Sequence, residues 1–304
     1  MEFKLYKFEF IAGVHFGKGT LERGEMIFRA DTLFSALCQE ALKMDCLDKL
    51  VKMAYADRLL LSDAFPYKGR QFYIPKPCIY IEPKDRKGNS LEKKKFKRMQ
   101  YIPADDMELY LSGCYTPQPD DFGNFVMKVS AALRGRDEAE PYRIQCFEFN
   151  DSCGLYVLVG CADNEVLEFV MQLLESLAYS GLGGKRHAGL GRFEGGWQKV
   201  PEYLRERLDD DSECQMLLSS ALPEEDKLDE ILTDASYKLL RRSGFVESVN
   251  YADQYMRKRD LYVFASGSCF KRRFSGTIPN VGVGGSHPVY RYAKALFLGM
   301  DVKI

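Results

Sequence analysis

The chain has 304 residues, of which 46% are hydrophobic and 29% are charged, and its formal net charge is −1 at pH 7. This composition is typical of a globular protein with one large or two modest domains, and it contains no apolar run long enough to span a membrane. The nine cysteines include no Cys-x-x-Cys pair, which favours neither a disulfide framework nor a zinc site. We therefore expect a cytoplasmic protein.

The small net charge hides two segments of opposite sign. Residues 84–98 contain eight basic and two acidic residues, whereas residues 209–230 contain nine acidic residues and one basic residue. A molecule with one basic and one acidic face binds an RNA backbone on the first and repels it from the second. The distribution of charge therefore keeps nucleic acid among the candidate partners.

In the first half, hydrophobic periodicity predicts strands and helices in a mixed order. Asp31 is expected to be the N-cap of the first helix, and Asn164 that of the second. Residues 83–143 are predicted to be a long β-hairpin insertion, a thumb. The elements predicted around it are a strand at 3–11, a helix after residue 31, strands at 58–65, 72–82, 142–149 and 154–160, a helix at 164–179 and a strand at 190–197.

Without the insertion, the order is strand–helix–strand followed by strand–helix–strand, which is the arrangement of a ferredoxin-like (RRM-like) domain. We therefore predict an α+β fold with two such domains. Residues 1–199 form the first, with the thumb inserted, and residues 200–304 form a second, divergent one. The elements expected in the second are short helices at 201–208 and 227–232 and strands at 235–249, 260–265 and 288–298.

Residues 181–191, Gly-Leu-Gly-Gly-Lys-Arg-His-Ala-Gly-Leu-Gly, are the most distinctive segment. Two Gly-Leu-Gly triplets flank a basic stretch, so backbone amides can approach a ligand while Lys185, Arg186 and His187 supply positive charge. The segment is not a P-loop, because Tyr179 and Arg186 replace a required glycine and a hydroxyl residue, and it is not a Rossmann fingerprint. We therefore expect a phosphate backbone as the ligand, and no nucleotide cofactor.

This glycine spacing, after a helix and before a strand, resembles the glycine-rich loop of the RAMP superfamily of CRISPR-associated RNA-binding proteins. Residues 28–37, 267–271 and 287–297 extend the similarity to the fourth subunits of type III-A (Csm) interference complexes. The resemblance implies a non-catalytic subunit that anchors the 5′ handle of a CRISPR RNA (crRNA), with target RNA nearby. It also implies a bridge from the large polymerase/nuclease subunit to the backbone RAMP subunits, and a thumb inserted between guide and target.

Several loops and aromatic–basic clusters are expected to contact the RNA. Lysine and arginine would bind phosphates, and Phe16, Phe274 or Tyr290 would stack on splayed bases. The residues assigned to this surface are His15, Phe16, Gly17, Lys18, Arg29, Asp31, Ser35, Gly181, Gly183, Gly184, Lys185, Arg186, His187, Gly189, Gly191, Arg192, Lys271, Arg272, Arg273, Phe274, Tyr290 and Arg291. The thumb is expected to use Lys93, Lys94, Lys95, Phe96, Lys97 and Arg98.

Three alternatives are open on the sequence alone. If the fold brought His15 and His187 together near Lys185 and Tyr6, a metal-independent endoribonuclease that processes repeat RNA would be possible, because that reaction needs a base, an acid and phosphate stabilisation. A capping subunit of a type III-B complex would share the fold and the glycine-rich loop. A protein-interaction module without RNA contact is disfavoured by the basic loops.

Overall fold

The computed structural model describes residues 1–82, 84, 90–119, 121–132, 140–248 and 250–302, without the side chains of residues 90–93 and 132. Part of the predicted thumb, including Arg86, Lys87 and the side chain of Lys93, therefore lies outside the described residues. No helix within the described ranges is long and apolar enough to cross a membrane.

The first 200 residues contain the longest helices and the main sheet. The strands are β1 (Glu2–Phe10), β2 (Phe16–Gly17), β3 (Gly24–Glu25), β4 (Leu59–Leu61), β5 (Phe65–Lys68), β6 (Gln71–Pro75), β7 (Tyr101–Pro103), β8 (Gly123–Ala132), β9 (Glu140–Phe149), β10 (Cys153–Cys161) and β11 (Phe193–Lys199). The helices are α1 (Ala30–Lys43), α2 (Leu47–Tyr55), α3 (Ser90–Arg98), α4 (Met107–Leu111) and α5 (Asn164–Ser180).

The main sheet follows the order β11-β1-β10-β5-β6-β7, with β4 also paired to β10. The strand β10 pairs with strands on both of its edges, and every one of its residues is buried. It runs antiparallel to β1, with Leu5 opposite Leu158, and antiparallel to β4 and β5. The helix α5 packs against α1, β10 and β11. The predicted strands at 3–11 and 154–160 and both long helices are confirmed.

Both predicted N-caps are wrong by one or two residues. The first helix begins at Ala30 with Arg29 as its N-cap, so Asp31 already lies in the first turn. The N-cap of α5 is Asp163, whose Oδ1 accepts a hydrogen bond from the amide of Val166 at 3.1 Å. At α5 the sequence does not separate Asp163 from Asn164, because both residues are favoured at the N-cap. Arg29 is not a favoured N-cap residue, so the sequence gives no local signal for the start of α1 at that position.

The predicted thumb is corrected in two respects. Residues 90–98 of the basic run form the helix α3 and not part of a hairpin, which fits a segment of good helix formers without β-branched residues. The hairpin is formed by β8 and β9, paired from Gly123 opposite Phe149 to Ala132 opposite Glu140. The strand predicted at 142–149 therefore belongs to this hairpin, and Met107–Leu111 within the predicted insertion is the helix α4.

The second half contributes short elements. They are α6 (Glu202–Asp209), β12 (Cys214–Leu217), α7 (Leu228–Leu232), β13 (Leu239–Arg242), β14 (Leu261–Phe264), β15 (Cys269–Phe270), β16 (Gly276–Thr277), β17 (Ala293–Lys294) and β18 (Phe297–Met300). Within the described ranges β12 pairs with β15 and β18, β13 with β14, and β16 with β17. The second ferredoxin-like domain stays a prediction.

One hydrophobic core extends through both halves. Leu5, Leu158 and Leu173 of the first half belong to the same buried cluster as Leu204 and Leu298 of the second. The hydroxyl of Tyr292 also accepts a hydrogen bond from the amide of Leu61 at 2.9 Å. The two halves are therefore joined by packing and by buried polar contacts.

Candidate nucleic-acid interface

The glycine-rich loop lies where the sequence predicts it, after α5 and before β11. Residues 186–188 form one 3-10 turn at its tip. The backbone has positive φ, a region that favours glycine, at Gly181 (74°), Gly183 (99°), Lys185 (60°), Gly189 (83°) and Gly191 (72°). The loop is thus a folded turn whose shape depends on these glycines.

The base of the loop is bound inside the protein. The amide of Gly184 donates to the carbonyl oxygen of His15 at 2.9 Å, and that of Gly191 donates to Gly13 at 3.0 Å. A Cβ atom on Gly191 would lie 2.0 Å from the carbonyl oxygen of Leu182, so only glycine fits there. The amides of these flanking glycines therefore do not support the prediction that they face RNA.

The tip of the loop differs from its base in its backbone hydrogen bonds. We call the residues of the tip, Lys185, Arg186 and His187, the basic turn. Their amides donate to no backbone carbonyl of the residues that the structure describes. The Nζ atom of Lys185 lies 4.6 Å from the centre of the Tyr142 ring, and Arg186 Nη2 donates to Gln39 Oε1 at 3.2 Å. His187 is exposed. The basic turn thus combines available amides with positive side chains.

His15 packs against the base of the glycine-rich loop. Its side chain is buried, and its Nδ1 lies 2.7 Å from the carbonyl oxygen of Gln145 on β9. A Cβ atom on Gly184 would lie 2.9 Å from Cδ2 of His15, so the two segments are in close contact. Phe16 is buried as well. The exposed members of the neighbouring predicted sites are Gly17, Lys18 and Arg192.

Arg29, Asp31 and Arg291 lie in a buried ion-pair network that joins α1 to the second half. Asp31 accepts hydrogen bonds from Arg242, at 2.9 Å from Nε and 2.8 Å from Nη2, and pairs with Arg291. Arg29 Nη1 lies 3.2 Å from Oδ2 of the buried Asp63. Burial alone raises the pKa of Asp31, but the charges of Arg242 and Arg291 and their hydrogen bonds outweigh it and hold that pKa well below its ordinary value. In this structure the predicted RNA contacts Asp31 and Arg291 bind each other, and Arg29 binds Asp63.

The predicted cluster at Lys271–Phe274 is also occupied by intramolecular contacts. Phe274 packs on Phe270 and Phe297 in a small apolar cluster. The cations pair with acidic and amide side chains, namely Lys271 Nζ with Asp234 Oδ2 at 2.5 Å, Arg272 with Glu230, and Arg273 Nε with Gln215 Oε1 at 2.8 Å. The basic cluster therefore lies against the acidic segment, and the two do not form separate faces at this point.

The remaining predicted residues lie on α1, near α2 and on α3. Ser35 is half-buried on α1, and Tyr290 is half-buried with its ring 6.2 Å from that of Tyr55. On α3, Phe96 is half-buried and packs on Tyr115. The exposed cations of α3 are Lys94, Lys95, Lys97 and Arg98. The predicted group of exposed cations is therefore present, but a helix carries it and not a hairpin.

Sequence reasoning missed a set of aromatic residues at the base of the β8–β9 hairpin. Phe122, Phe125 and Phe147 come together with Tyr101, and they line a cavity of about 380 Å³ together with Lys18 and Arg98. Phe122 and Phe125 flank Gly-Asn at the start of β8, but only the pairing of β8 with β9 brings Phe147 to them. The described residues hold no group of three or more His, Cys, Asp or Glu side chains arranged for a metal ion.

Two family models match the chain. The RAMP superfamily model matches residues 7–194, and the CRISPR Csm4 C-terminal domain model matches residues 210–300. The RAMP match covers more than half of the chain and includes the glycine-rich loop. The fold and the loop thus define the class, that of the CRISPR-associated RAMP proteins.

A curated relative from Mycobacterium tuberculosis H37Rv, named "CRISPR system Cms protein Csm4", is 37% identical over 99% of this chain and 98% of its own length. The chain therefore belongs to the Csm4 family, whose members are subunits of type III-A CRISPR complexes.

Solved structures agree in fold. A chain in the crystal structure of the Csm3–Csm4 subcomplex of the type III-A interference complex matches with a TM-score of 0.68 and 19% identity, over 98% of this chain and 99% of that chain. A chain in a Csm1–Csm4 cassette in complex with cA4 matches with a TM-score of 0.63 and 21% identity, over 99% of each chain. These likenesses support a mixed α/β fold with antiparallel sheets.

Proposed function

We propose that this protein is the non-catalytic RNA-binding subunit that anchors the 5′ handle of the guide in a type III-A complex. The observation that carries the proposal is the basic turn. It presents two or three positive charges and free amides on a base that is fixed by hydrogen bonds to residues 13–15. A preformed cationic turn binds a phosphate backbone without a large ordering cost.

The proposed position in the complex is a bridge. Solved structures named for Csm3–Csm4 and Csm1–Csm4 assemblies contain chains of the same fold. By this analogy, the chain would contact a backbone RAMP subunit on one side and the large polymerase/nuclease subunit on the other. Target RNA would then pass close to the hairpin and to α3.

We further propose that residues 1–199 form a ferredoxin-like domain. The order β11-β1-β10-β4, antiparallel throughout, together with α1 after β1 and α5 after β10, supports this. The hairpin β8–β9 and the helix α3 would be its insertion, and residues 200–304 would be a divergent second domain.

The proposal that the subunit is non-catalytic is supported by the side chains that an endoribonuclease would need. His15 is buried and bonded to a backbone carbonyl, whereas His187 is exposed on the basic turn. Burial, followed by the charge of Glu175, raises the pKa of Tyr6 to about 12, which disfavours a role as a base. The ring of Tyr6 packs on Trp197 in the sheet.

The test is a double variant, Lys185→Ala with Arg186→Ala, in the assembled complex. We expect weaker guide retention, and a salt dependence of RNA binding that is flatter by about 0.7 in log–log slope for each phosphate group that the variant no longer binds. The matched control is Lys271→Ala with Arg272→Ala, which removes the same charge from cations that are already paired with Asp234 and Glu230. Equal retention by both variants and the parent protein would refute the proposed function.

A further inference from the structure

The cavity at the base of the β8–β9 hairpin has the composition of a nucleotide site. It has a volume of about 380 Å³ and lies between the β2–β3 turn, the segment before α1, the end of α3 and the start of β8. This volume is near the lower end of the range of small-molecule sites, so it suits one nucleotide and not a longer segment.

Aromatic rings form its apolar wall. The rings of Phe125 and Phe147 are 4.9 Å apart and nearly perpendicular, and those of Tyr101 and Phe122 are 6.4 Å apart. Phe122, Phe147 and Tyr101 are buried, but Phe125 is 49% exposed although it lies beside them. A half-exposed phenylalanine at the mouth of an aromatic cavity offers a surface on which a base can stack.

Positive charge lies on the same rim. Lys18 is mostly exposed and is 3.2 Å from Glu25, and Arg98 has no carboxylate partner among the described residues. Arg29 also lines the cavity, and its buried Nε atom has no hydrogen-bond acceptor in the part of the chain that the structure describes. The cavity therefore combines a stacking wall with cations for a phosphate and an unsatisfied donor.

We infer that this cavity binds one unpaired nucleotide of RNA, with the base against Phe125 and its phosphate at Arg98 and Lys18. This inference rests on the proposed function and adds to it a second contact region, away from the basic turn. The side chain of Gln100, which also lines the cavity, is available to hydrogen-bond the edge of the base.

The test uses the full-length protein and a short single-stranded RNA of repeat-derived sequence. We expect Phe125→Ala to weaken binding roughly 5- to 150-fold, the range that corresponds to the loss of one base–aromatic stack, whereas Phe125→Trp is expected to keep the affinity of the parent protein. The matched control is Met127→Ala. Met127 is exposed two residues further along β8, on the same face, and does not line the cavity, so its loss is expected to leave affinity unchanged.

A scan with single abasic sites in the RNA locates the nucleotide. We expect one position at which the abasic RNA binds the parent protein weakly and at which Phe125→Ala has no further effect. If Phe125→Ala and every abasic RNA bind as the parent pair does, while the basic-turn variant still loses RNA, the inference is overturned and the proposed function stands. If the parent protein does not bind the RNA at all, both are overturned.

Free AMP, CMP, GMP and UMP are tested as competitors, because a free nucleotide has the same chemistry as a nucleotide within RNA. Competition that disappears in Phe125→Ala, together with RNA binding that is indifferent to that change, would overturn the assignment to RNA. Competition that is weak beside that of the RNA would support it, since the chain on either side of the bound nucleotide contributes further phosphate contacts.

Discussion

At the scale of single residues, two buried carboxylates determine how the start of α1 is held. Asp63 accepts hydrogen bonds from the amide of Ala30 at 2.9 Å and from the amide and hydroxyl of Ser220 at 3.0 and 2.8 Å. Asp31, one residue further along the helix, binds the guanidinium groups of Arg242 and Arg291. Each carboxylate links the first half to the second, so these residues stabilise the scaffold beneath the proposed RNA-binding surface.

We expect Asp31→Asn to lower the free energy of unfolding by about 3–5 kcal/mol, because it leaves two arginines without a carboxylate partner in a buried site. Denaturant unfolding followed by circular dichroism measures this. Asp226→Asn, which removes an exposed carboxylate, is the control and is expected to change little. A loss as small as that of the control would contradict the ion-pair network.

The contribution of Asp31 to folding stability is also expected to depend on pH. Because the pKa of folded Asp31 lies below its unfolded value of roughly 4, its stabilisation is complete above that value and is lost as the pH falls towards the folded pKa. The parent protein is therefore expected to lose more stability than Asp31→Asn between neutral pH and roughly pH 3. Parallel stability curves for the two proteins would show that Asp31 does not contribute in this way.

At the scale of elements, the glycine-rich loop has a base that packs inside the protein and a tip that is proposed to bind RNA. Its base packs on residues 13–16 through close backbone contacts, and its tip carries the basic turn. The glycines at the base are therefore required for shape, whereas those near the tip meet less steric restriction.

Two alanine substitutions, both at positions of positive φ, compare the base of the loop with its tip. Gly191→Ala would place a Cβ atom 2.0 Å from the carbonyl oxygen of Leu182, so the loop must rearrange, whereas Gly189→Ala meets no atom within 4 Å. We expect Gly189→Ala to cost about 1–2 kcal/mol from backbone strain alone, and Gly191→Ala to cost more and to reduce RNA binding. Thermal unfolding and an RNA-binding titration measure both, and equal effects would contradict the close contact.

At the scale of the whole molecule, the core is shared between regions that two different family models match. Leu298 on β18 is fully buried in the same cluster as Leu5 and Leu158 of the main sheet. The ring of Tyr292 packs on Phe34 of α1 with 5.0 Å between their centres. A core substitution that destabilises the second half is therefore expected to lower the stability of the first half as well.

Trp197 on β11, the one tryptophan of the sequence, reports on the first half. We expect Leu298→Ala to destabilise the protein by about 2–5 kcal/mol and to shift the Trp197 fluorescence transition as far as the circular dichroism transition. Leu239→Ala, at an exposed position of β13, is the control. A Trp197 transition that did not move with Leu298→Ala would mean that the halves unfold independently.

The sequence by itself determined the local features of this protein. Periodicity located β1, β10, α1 and α5, because each buries a continuous apolar face, and the glycine spacing located the loop between α5 and β11. The residues assigned to the tip of that loop are exposed or partly exposed, as a ligand-binding turn requires. These features depend on neighbours in the chain, so a linear pattern contains them.

Only the tertiary structure decided which charged and aromatic residues are available to a ligand. Arg291 and Lys271 were predicted to bind RNA, yet carboxylates that are distant in sequence, Asp31 and Asp234, bind them. Conversely, Phe125 and Phe147 gain a candidate role because the pairing of β8 with β9 places them at one cavity. A cation is free or paired according to what the fold brings within a few ångströms of it, and no pattern along the chain records that distance.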